Sequence, residues 1–178
     1  MKARVAAALV VAAAALSPQP AAAGATETSG EILRWAIPAA ALGLAWQRED
    51  RAGLGQFAWA YAAAAGTTLV LKAAVDEERP DGGGDDAFPS GHAATAFAGA
   101  AVLQRRYGWA TAWPAWLLAT WTGYTRVESD EHDWGDVAGG AAVGIAAAWL
   151  FVEPAQGVKI EPAAVGGDGL GLKVSLRW

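Results

Sequence analysis

The chain has 178 residues, a length that favours a single domain. It has no cysteine, which excludes disulfides, thiolate catalysis and cysteine-based zinc sites. Its formal net charge of −5 argues against a general nucleic-acid-binding protein. Hydrophobic residues make up 54% of the chain, and 10 residues are tryptophan, which is enriched at membrane–water interfaces.

The N-terminus has the organisation of a signal peptide. Lys2 and Arg4 precede the apolar stretch VAAALVVAAAAL, and the AAAG further on offers small residues for cleavage after Ala23. The alternative is an uncleaved membrane anchor. Both interpretations predict export or insertion, so residues 1–23 are set aside from the fold. The small polar residues 24–31 are expected to form a flexible lead-in.

Five apolar segments follow, each with the length and composition of a helix. Polar loops at 76–89 and 125–135 interrupt them, and the first is too rich in proline, glycine and acids for a helix or buried strand. The chain is therefore predicted to be all-α, an antiparallel bundle of about five helices over residues 32–152. Gly140 and Gly144 form a small-xxx-small pair, which favours close helix packing. The predicted helical segments are 32–46, 54–75, 90–103, 109–124 and 137–152.

The tail, residues 153–178, has a different pattern. Apolar residues alternate with polar or small ones at Leu170, Leu172, Val174 and Leu176, which is the periodicity of a β-strand. Glycines separate this stretch from the preceding VKIEP. The tail is predicted to be a short β-hairpin or an extended segment.

The arrangement of charges favours a membrane protein. A spanning helix needs about 20 apolar residues; segment 54–75 meets this length, whereas the others are shorter and the mean hydropathy is only +0.21. Arg48 and Arg51, and then Arg105 and Arg106, lie at the ends that would face the cytoplasm, as the positive-inside rule expects. We therefore expect a bacterial inner-membrane protein with both acidic loops in the periplasm. The alternative is a soluble periplasmic helical domain.

Three cationic side chains flank these loops and predict an anion site. Lys72 and Arg79 border the first loop, and Arg126 begins the second. They are expected to converge near Ser90 and Gly91, where the third helix begins. Free N–H groups at a helix N-terminus and arginine forks both bind phosphate oxygens well.

The only two histidines of the chain, His92 and His132, lie beside the same loops. If residues 132–136 form the first turn of the fifth helix, His132 and Asp136 share one face. A carboxylate on one ring nitrogen sets the tautomer and leaves the other nitrogen free as a nucleophile. His92 would then protonate the leaving oxygen.

Three ordered motifs carry a family resemblance: K-x6-RP at 72–80, PSGH at 89–92 and R-x5-H-x3-D at 126–136. Together they resemble the type-2 phosphatidic acid phosphatase superfamily, which includes lipid phosphatases, bacterial acid phosphatases and vanadium haloperoxidases. One departure is Thr125, where the family usually has serine; because a hydroxyl is retained, little effect is expected.

The resemblance implies a role for each matching residue. It implies phosphate binding by Lys72, Arg79 and Arg126, a cradle completed by Ser90 and the Gly91 N–H, general acid catalysis by His92, a phosphohistidine at His132, and orientation of that ring by Asp136.

The expected function is a membrane-associated, metal-independent phosphatase of a lipid phosphate or pyrophosphate, with no cofactor and no nucleic-acid partner. The alternatives are a soluble periplasmic acid phosphatase of broad specificity, a vanadium haloperoxidase, for which the chain is short, and a non-enzymatic anion-binding membrane protein. Six acids lie in 76–86 and five in 128–136, eleven of the chain's 18. Apart from Asp136, they are expected to keep the loops solvated; tuning of histidine pKa or binding of a divalent cation are the alternatives.

Overall fold

A computed structural model describes residues 24–155, together with the backbone of 157–165 and 169–177. The predicted signal peptide lies outside the described residues. The elements are α1 Ala25–Gln47, α2 Arg51–Ala74, α3 Gly91–Tyr107, α4 Trp109–Glu128, α5 Trp134–Phe151, β1 Gly157–Val165 and β2 Gly169–Arg177. The strands pair antiparallel, with Gly157 opposite Arg177. The predicted all-α bundle with a C-terminal hairpin is confirmed.

Helix α3 is the central element, because it packs against all four other helices. Alanine and glycine dominate it, and nine of its residues from Ala93 to Leu103 are buried. Small side chains let the surrounding helices approach closely. The core is therefore held by backbone proximity more than by large apolar side chains. Its buried residues include Ile37, Ala41, Phe57, Ala60, Ala96, Ala100, Val102, Leu103, Ala112, Ala119 and Ala148.

The contact of α3 with α5 is the most extensive between helices and depends on two glycines. A Cβ on Gly140 would lie 2.3 Å from the Ser90 carbonyl oxygen, and one on Gly144 would lie 2.3 Å from that of Ala94. Real Cβ atoms do not approach backbone this closely. The small-xxx-small pair therefore brings the two helices together as predicted, and it places the start of α3 beside the start of α5.

The N-terminal segment differs from its expected conformation. Residues 25–31, which we expected to form a flexible lead-in, are the first turns of α1. Tertiary contacts explain the difference: a Cβ on Gly30 would collide with the Thr125 hydroxyl, and Trp121 Nε1 donates to Ser29 Oγ over 2.9 Å. Packing on α4 therefore outweighs the weak helix propensity of these small polar residues.

A buried ion pair ties the other end of the bundle together. Arg106 donates through Nε to Asp50 Oδ2 (2.7 Å) and through Nη2 to Asp50 Oδ1 (2.6 Å). The Tyr107 hydroxyl donates to the same carboxylate over 2.9 Å, and Arg106 Nη1 donates to the Glu153 carbonyl over 2.8 Å. Because Asp50 precedes α2 and Glu153 follows α5, this network joins three helices at the end that carries the arginine pairs.

One described helix, α5, is long and apolar enough to cross a membrane by length and composition, with 18 residues and a mean hydropathy of 1.3. A core helix of a soluble protein can pass the same test, and a third of this one is buried. We expected segment 54–75 to fit a bilayer most easily. The apolar run of this segment is longer than that of α5. Its mean hydropathy is lowered by Gln56, Lys72, glycines and threonines.

The glycine contact generates a prediction about stability. Gly140→Ala forces a methyl group against the Ser90 carbonyl, so we expect a loss of about 1–3 kcal/mol of stability, the usual scale of overpacking, seen as a lower thermal midpoint. Gly66→Ala is the matched control, because nothing lies within 4 Å of its Cβ position. There alanine should be neutral or slightly stabilising. Equal midpoints for the two variants would contradict the close α3–α5 contact.

Candidate active site

The two histidines, 40 residues apart in sequence, meet at one end of the bundle. A ring nitrogen of His92, a ring nitrogen of His132 and a carboxylate oxygen of Glu131 all lie within 4.8 Å of one another. The loops between α2 and α3 and between α4 and α5 form this end. A cleft of about 790 Å³ beside Asp50 and Tyr107 lies at the opposite end of the bundle. Charge and histidine convergence, not cleft volume, therefore mark the candidate site.

His132 is held beside Asp136 by the start of α5. Its Nδ1 lies 3.3 Å from Asp136 Oδ2. Asp133 caps the helix: its Oδ1 accepts from the Asp136 N–H and its own N–H donates to Asp136 Oδ2, both over 3.0 Å. The fifth helix was expected over residues 137–152, and the pairing of His132 with Asp136 on the condition that its first turn reached back to residue 132; α5 begins at Trp134. The predicted pairing is nevertheless present, because the capping box fixes the carboxylate that faces the ring.

Burial and neighbouring charges favour a neutral imidazole at His132. Burial lowers its pKa; the Asp136 carboxylate acts in the opposite direction, and the charges of Lys72 and Arg79 lower it further. If Nδ1–H donates to Asp136, Nε2 keeps a free lone pair. A neutral ring oriented in this way has the form that a nucleophile needs.

The PSGH stretch forms the N-terminus of α3, as predicted. Ser90 is fully buried and its Oγ accepts from the Ala93 N–H over 3.4 Å, so it is the N-cap. Its own N–H donates to the Asp136 carbonyl over 3.0 Å. Gly91 is the first helical residue, and its Cβ position lies 3.9 Å from Thr68 Cγ2. The backbone thus connects the helix that carries His92 to the one that carries Asp136.

Lys72 and Arg79 share one carboxylate partner, Asp86. Arg79 Nε donates to Asp86 Oδ1 over 2.9 Å, and Lys72 Nζ contacts Asp86 Oδ2 at 3.4 Å and donates to the Asp86 carbonyl. Partial burial acts against ionisation of Asp86, but the hydrogen bond from Arg79 and the charge of Lys72 hold its pKa below the usual range. The positive charges of both side chains lower the pKa of His132.

Arg126 is fully buried and bonded to several oxygens. Its Nη1 donates to both carboxylate oxygens of Glu131, over 3.0 and 3.1 Å, and its Nη2 donates to the Glu27 carbonyl over 2.9 Å. Its Nε donates to Thr125 Oγ1 over 3.2 Å. In the family that the three motifs resemble, a serine usually supplies this hydroxyl. The guanidinium is thus fixed in place beside the histidines.

The loop acids Asp86 and Glu131 do more than keep the loops solvated. Each is paired with the cations that sequence analysis assigned to phosphate binding. The expectation that these acids only provide solvation is therefore wrong for these two. Sequence alone did not reveal the pairs because the loop geometry that forms them has no periodic pattern.

Sequence analysis missed two charged residues of α1, Glu31 and Arg34. A Glu31 carboxylate oxygen hydrogen-bonds His92 Nε2, and Arg34 Nη1 lies 2.8 Å from the same nitrogen. The same Glu31 oxygen lies 3.5 Å from Arg34 Nη1 and 3.9 Å from Arg126 Nη1. The sequence signal that could have identified them is Arg34, which is the one charged residue within the apolar segment 32–46.

Two groups of side chains have the composition of a cation site. One is His92, Glu131 and His132; the other is Glu77, Asp133 and Asp136. In the second group, Asp133 Oδ1 and Asp136 Oδ2 already accept backbone N–H groups, while Asp136 Oδ1 is buried without a hydrogen-bond partner.

The whole arrangement brings all eight predicted site residues to one end of the bundle, together with Glu31 and Arg34. Two histidines, each next to a carboxylate, lie among lysine and arginine side chains at a helix N-terminus. Such a site can bind a phosphate-like anion and can supply both a nucleophile and a proton donor.

The chain belongs to the PAP2 superfamily, whose family model matches residues 53–156, more than half of the sequence. It is also similar to two curated bacterial proteins. Lipid A 4'-phosphatase of Helicobacter pylori is 30% identical over 136 residues, which cover 70% of this chain and 68% of that protein. Lipid A 1-phosphatase of Porphyromonas gingivalis is 43% identical over 70 residues, 38% of this chain but only 16% of that longer protein. No solved structure matches the chain.

The environment of His132 generates a prediction that needs no substrate. Because burial and nearby cations disfavour its protonated form, its imidazole should titrate below the ordinary value of 6.5 in proton NMR. With only two histidines in an untagged chain, the His92→Gln variant assigns the signal. Asp136→Asn removes the carboxylate that favours protonation, so the midpoint should fall further. A midpoint at or above 6.5, or a rise in Asp136→Asn, would contradict this account.

Proposed function

We propose that the protein is a membrane-associated lipid phosphatase that acts through a phosphohistidine at His132. The observation that carries the proposal is the His132–Asp136 pair, which lies within reach of His92. Lys72, Arg79 and Arg126 supply positive charge for the phosphoryl group, and Ser90 and Gly91 supply the N-terminus of α3.

The proposed reaction has two steps, phosphoryl transfer to His132 and hydrolysis of the phosphohistidine. Neutral His132 attacks phosphorus through Nε2 while the bond from phosphorus to the leaving oxygen breaks, and protonated His92 gives its proton to that oxygen. Water then attacks the phosphohistidine, returns a proton to His92 and releases phosphate from a neutral His132. Asp136 orients His132 and stabilises positive charge on the ring during transfer.

The apolar surface supports a lipid environment. Eight tryptophans are at least 44% exposed: Trp35, Trp46, Trp59, Trp109, Trp113, Trp121, Trp134 and Trp149. They occur towards both ends of the bundle, for example Trp46 at the end of α1 and Trp134 at the start of α5. Tryptophan at both interfaces is typical of membrane proteins, and a soluble domain rarely exposes so many large apolar side chains. We place the site on the periplasmic face of the inner membrane.

The substrate class follows from this setting and from the two lipid A phosphatases that the chain resembles. A lipid phosphate or pyrophosphate, such as a lipid A, phosphatidyl or undecaprenyl species, presents its headgroup at the level of the site. A soluble periplasmic acid phosphatase is the alternative. Phosphate release from lipid and water-soluble monoesters, compared side by side in detergent, separates the two.

We propose that turnover needs no metal ion. The histidines lie among Lys72, Arg79, Arg126 and Arg34, whose side chains can bind the oxygens of an anion. These groups and the helix N-terminus can neutralise a phosphoryl group without a metal.

The nucleophile is tested by substitution and labelling. His132→Ala should reduce kcat on the order of 10⁶-fold, the scale seen when a catalytic nucleophile is removed, while the exposed Glu128→Ala leaves kcat unchanged. Substrate labelled in the phosphoryl group should label histidine in enzyme quenched under alkaline conditions, because phosphohistidine is acid-labile. Label on serine, or near-normal turnover in His132→Ala, contradicts the mechanism.

Metal independence has its own test. Activity should survive EDTA, and vanadate should inhibit in competition with substrate, because it mimics the trigonal-bipyramidal transition state in an anion pocket. Complete loss of activity in EDTA that Mg²⁺ or Ca²⁺ restores would instead assign a metal role to Glu77, Asp133 and Asp136.

Membrane orientation is tested with single cysteines in this cysteine-free chain. Asp85→Cys lies in the loop at the site, and Gln47→Cys lies at the end of α1 on the opposite side. Both residues are exposed. In intact spheroplasts an impermeant thiol reagent should label position 85, and position 47 only after permeabilisation. Equal labelling of both, or release of the protein with the periplasm, favours the soluble alternative.

A further inference from the structure

Helix α1 lies before the residues that match the family model, 53–156, yet it contributes two charged side chains to the site. Glu31 is 61 residues from His92 in sequence, and its carboxylate hydrogen-bonds His92 Nε2. His92 is 13% exposed and Glu31 is 33% exposed. Both groups are thus partly shielded from water, where an ion pair is stronger than at an open surface.

The charges around His92 come from three parts of the chain. Arg34 on α1 and Arg126 on α4 are cations, and Arg34 Nη1 lies 2.8 Å from His92 Nε2. Glu131 and His132, in the loop before α5, lie near the ring. Glu31 is the carboxylate that hydrogen-bonds His92 among the described residues. Burial lowers the pKa of His92 below its ordinary value, and the charges of Arg34 and Arg126 act in the same direction. The Glu31 carboxylate opposes them and favours the protonated ring.

The protonation state of His92 decides whether it can act as an acid. A neutral imidazole gives up its remaining proton far too reluctantly to protonate a departing alkoxide, whereas imidazolium does so near neutral pH. Because the carboxylate lies on Nε2, the nitrogen that gives a proton to the leaving oxygen is Nδ1, which lies 3.5 Å from Arg34 Nη1. Each histidine therefore has one carboxylate: Asp136 on Nδ1 of His132, and Glu31 on Nε2 of His92.

We infer that Glu31 is a positioning residue for the proposed reaction: through its hydrogen bond to Nε2 it orients the His92 ring as the general acid and stabilises the protonated ring against the nearby arginines. The inference rests on the proposed function. In the first step, the Nδ1 proton of His92 moves to the leaving oxygen as the bond to phosphorus breaks, and the Nε2 proton stays on the hydrogen bond to Glu31. In the second step, the attacking water returns a proton to Nδ1.

The test uses Glu31→Gln, which removes the charge and keeps the side-chain size. Glu128→Gln is the matched control, because it makes the same charge change at an exposed position at the same end of the bundle. The first readout is the NMR titration of His92 in both variants. In Glu31→Gln, His92 should lose its proton at lower pH than in the wild type, and in Glu128→Gln it should not. An unchanged His92 titration overturns the inference.

The second readout is turnover on two substrates. An alkyl phosphate needs a proton on its leaving oxygen, whereas nitrophenolate leaves unaided. Glu31→Gln should lower kcat on the alkyl phosphate by about 10²–10⁴-fold, move the basic limb of its pH profile to lower pH, and change nitrophenyl phosphate hydrolysis little. Equal loss on both substrates, or a changed KM with an unchanged pH profile, overturns the inference and assigns Glu31 to binding or local structure.

The two proposals fail in different ways. If wild-type protein hydrolyses none of the phosphate esters, the proposed function fails, whatever the NMR titration shows. Suppose instead that the wild type is active and that His92→Ala is selectively impaired on the alkyl phosphate, but that Glu31→Gln behaves like Glu128→Gln. The proposed function is then supported and the proposed role of Glu31 is contradicted. A normal thermal midpoint for Glu31→Gln confirms that either result describes a folded protein.

Discussion

The contact between the beginnings of α3 and α5 is the constraint on which the site depends. Gly140 lets the Ser90 carbonyl lie against α5, and the Ser90 N–H donates to the Asp136 carbonyl over 3.0 Å. Two motifs separated by about forty residues are therefore joined through backbone atoms, whose positions vary little. His92 and Asp136 inherit that relative placement from the helices that carry them. A catalytic arrangement held in this way is preorganised, because little rearrangement is needed when a substrate binds.

Electrostatic pairing forms the second layer of the site. Asp86 holds Lys72 and Arg79, and Glu131 holds Arg126. Each pair fixes a cation that would otherwise be a flexible side chain. The same carboxylates reduce the net positive charge of the pocket, so an incoming phosphate group shares these cations or exchanges with the acids. For the proposed phosphatase, this pairing favours a ligand whose negative charge competes with the two carboxylates, and a dianionic phosphoryl group competes better than a single carboxylate does.

Most of the fold and much of the site could be predicted from the sequence, because both have local signals. The five helices follow from apolar runs between proline- and glycine-rich loops, and the eight motif residues follow from their spacing. The helical start at residues 25–31 and the ion pairs and hydrogen bonds of Asp86, Glu131 and Glu31 could not be predicted. Each depends on a tertiary contact, such as Gly30 against Thr125 or Glu31 against His92, that leaves no periodic trace in its own segment.

The alanine-rich core of α3 has a consequence for how this sequence can change over time. Alanine has almost no side-chain rotamer freedom to lose on folding, so the side chains of such a core lose little conformational entropy when the protein folds. It also leaves no room for larger side chains, because Ala96, Ala98 and Ala100 are fully buried. Any larger residue there must push the backbone of α3 away from that of a neighbouring helix. Variation that survives selection should therefore accumulate on the outward faces of α1, α2 and α4, while the inward face of α3 stays confined to the smallest side chains.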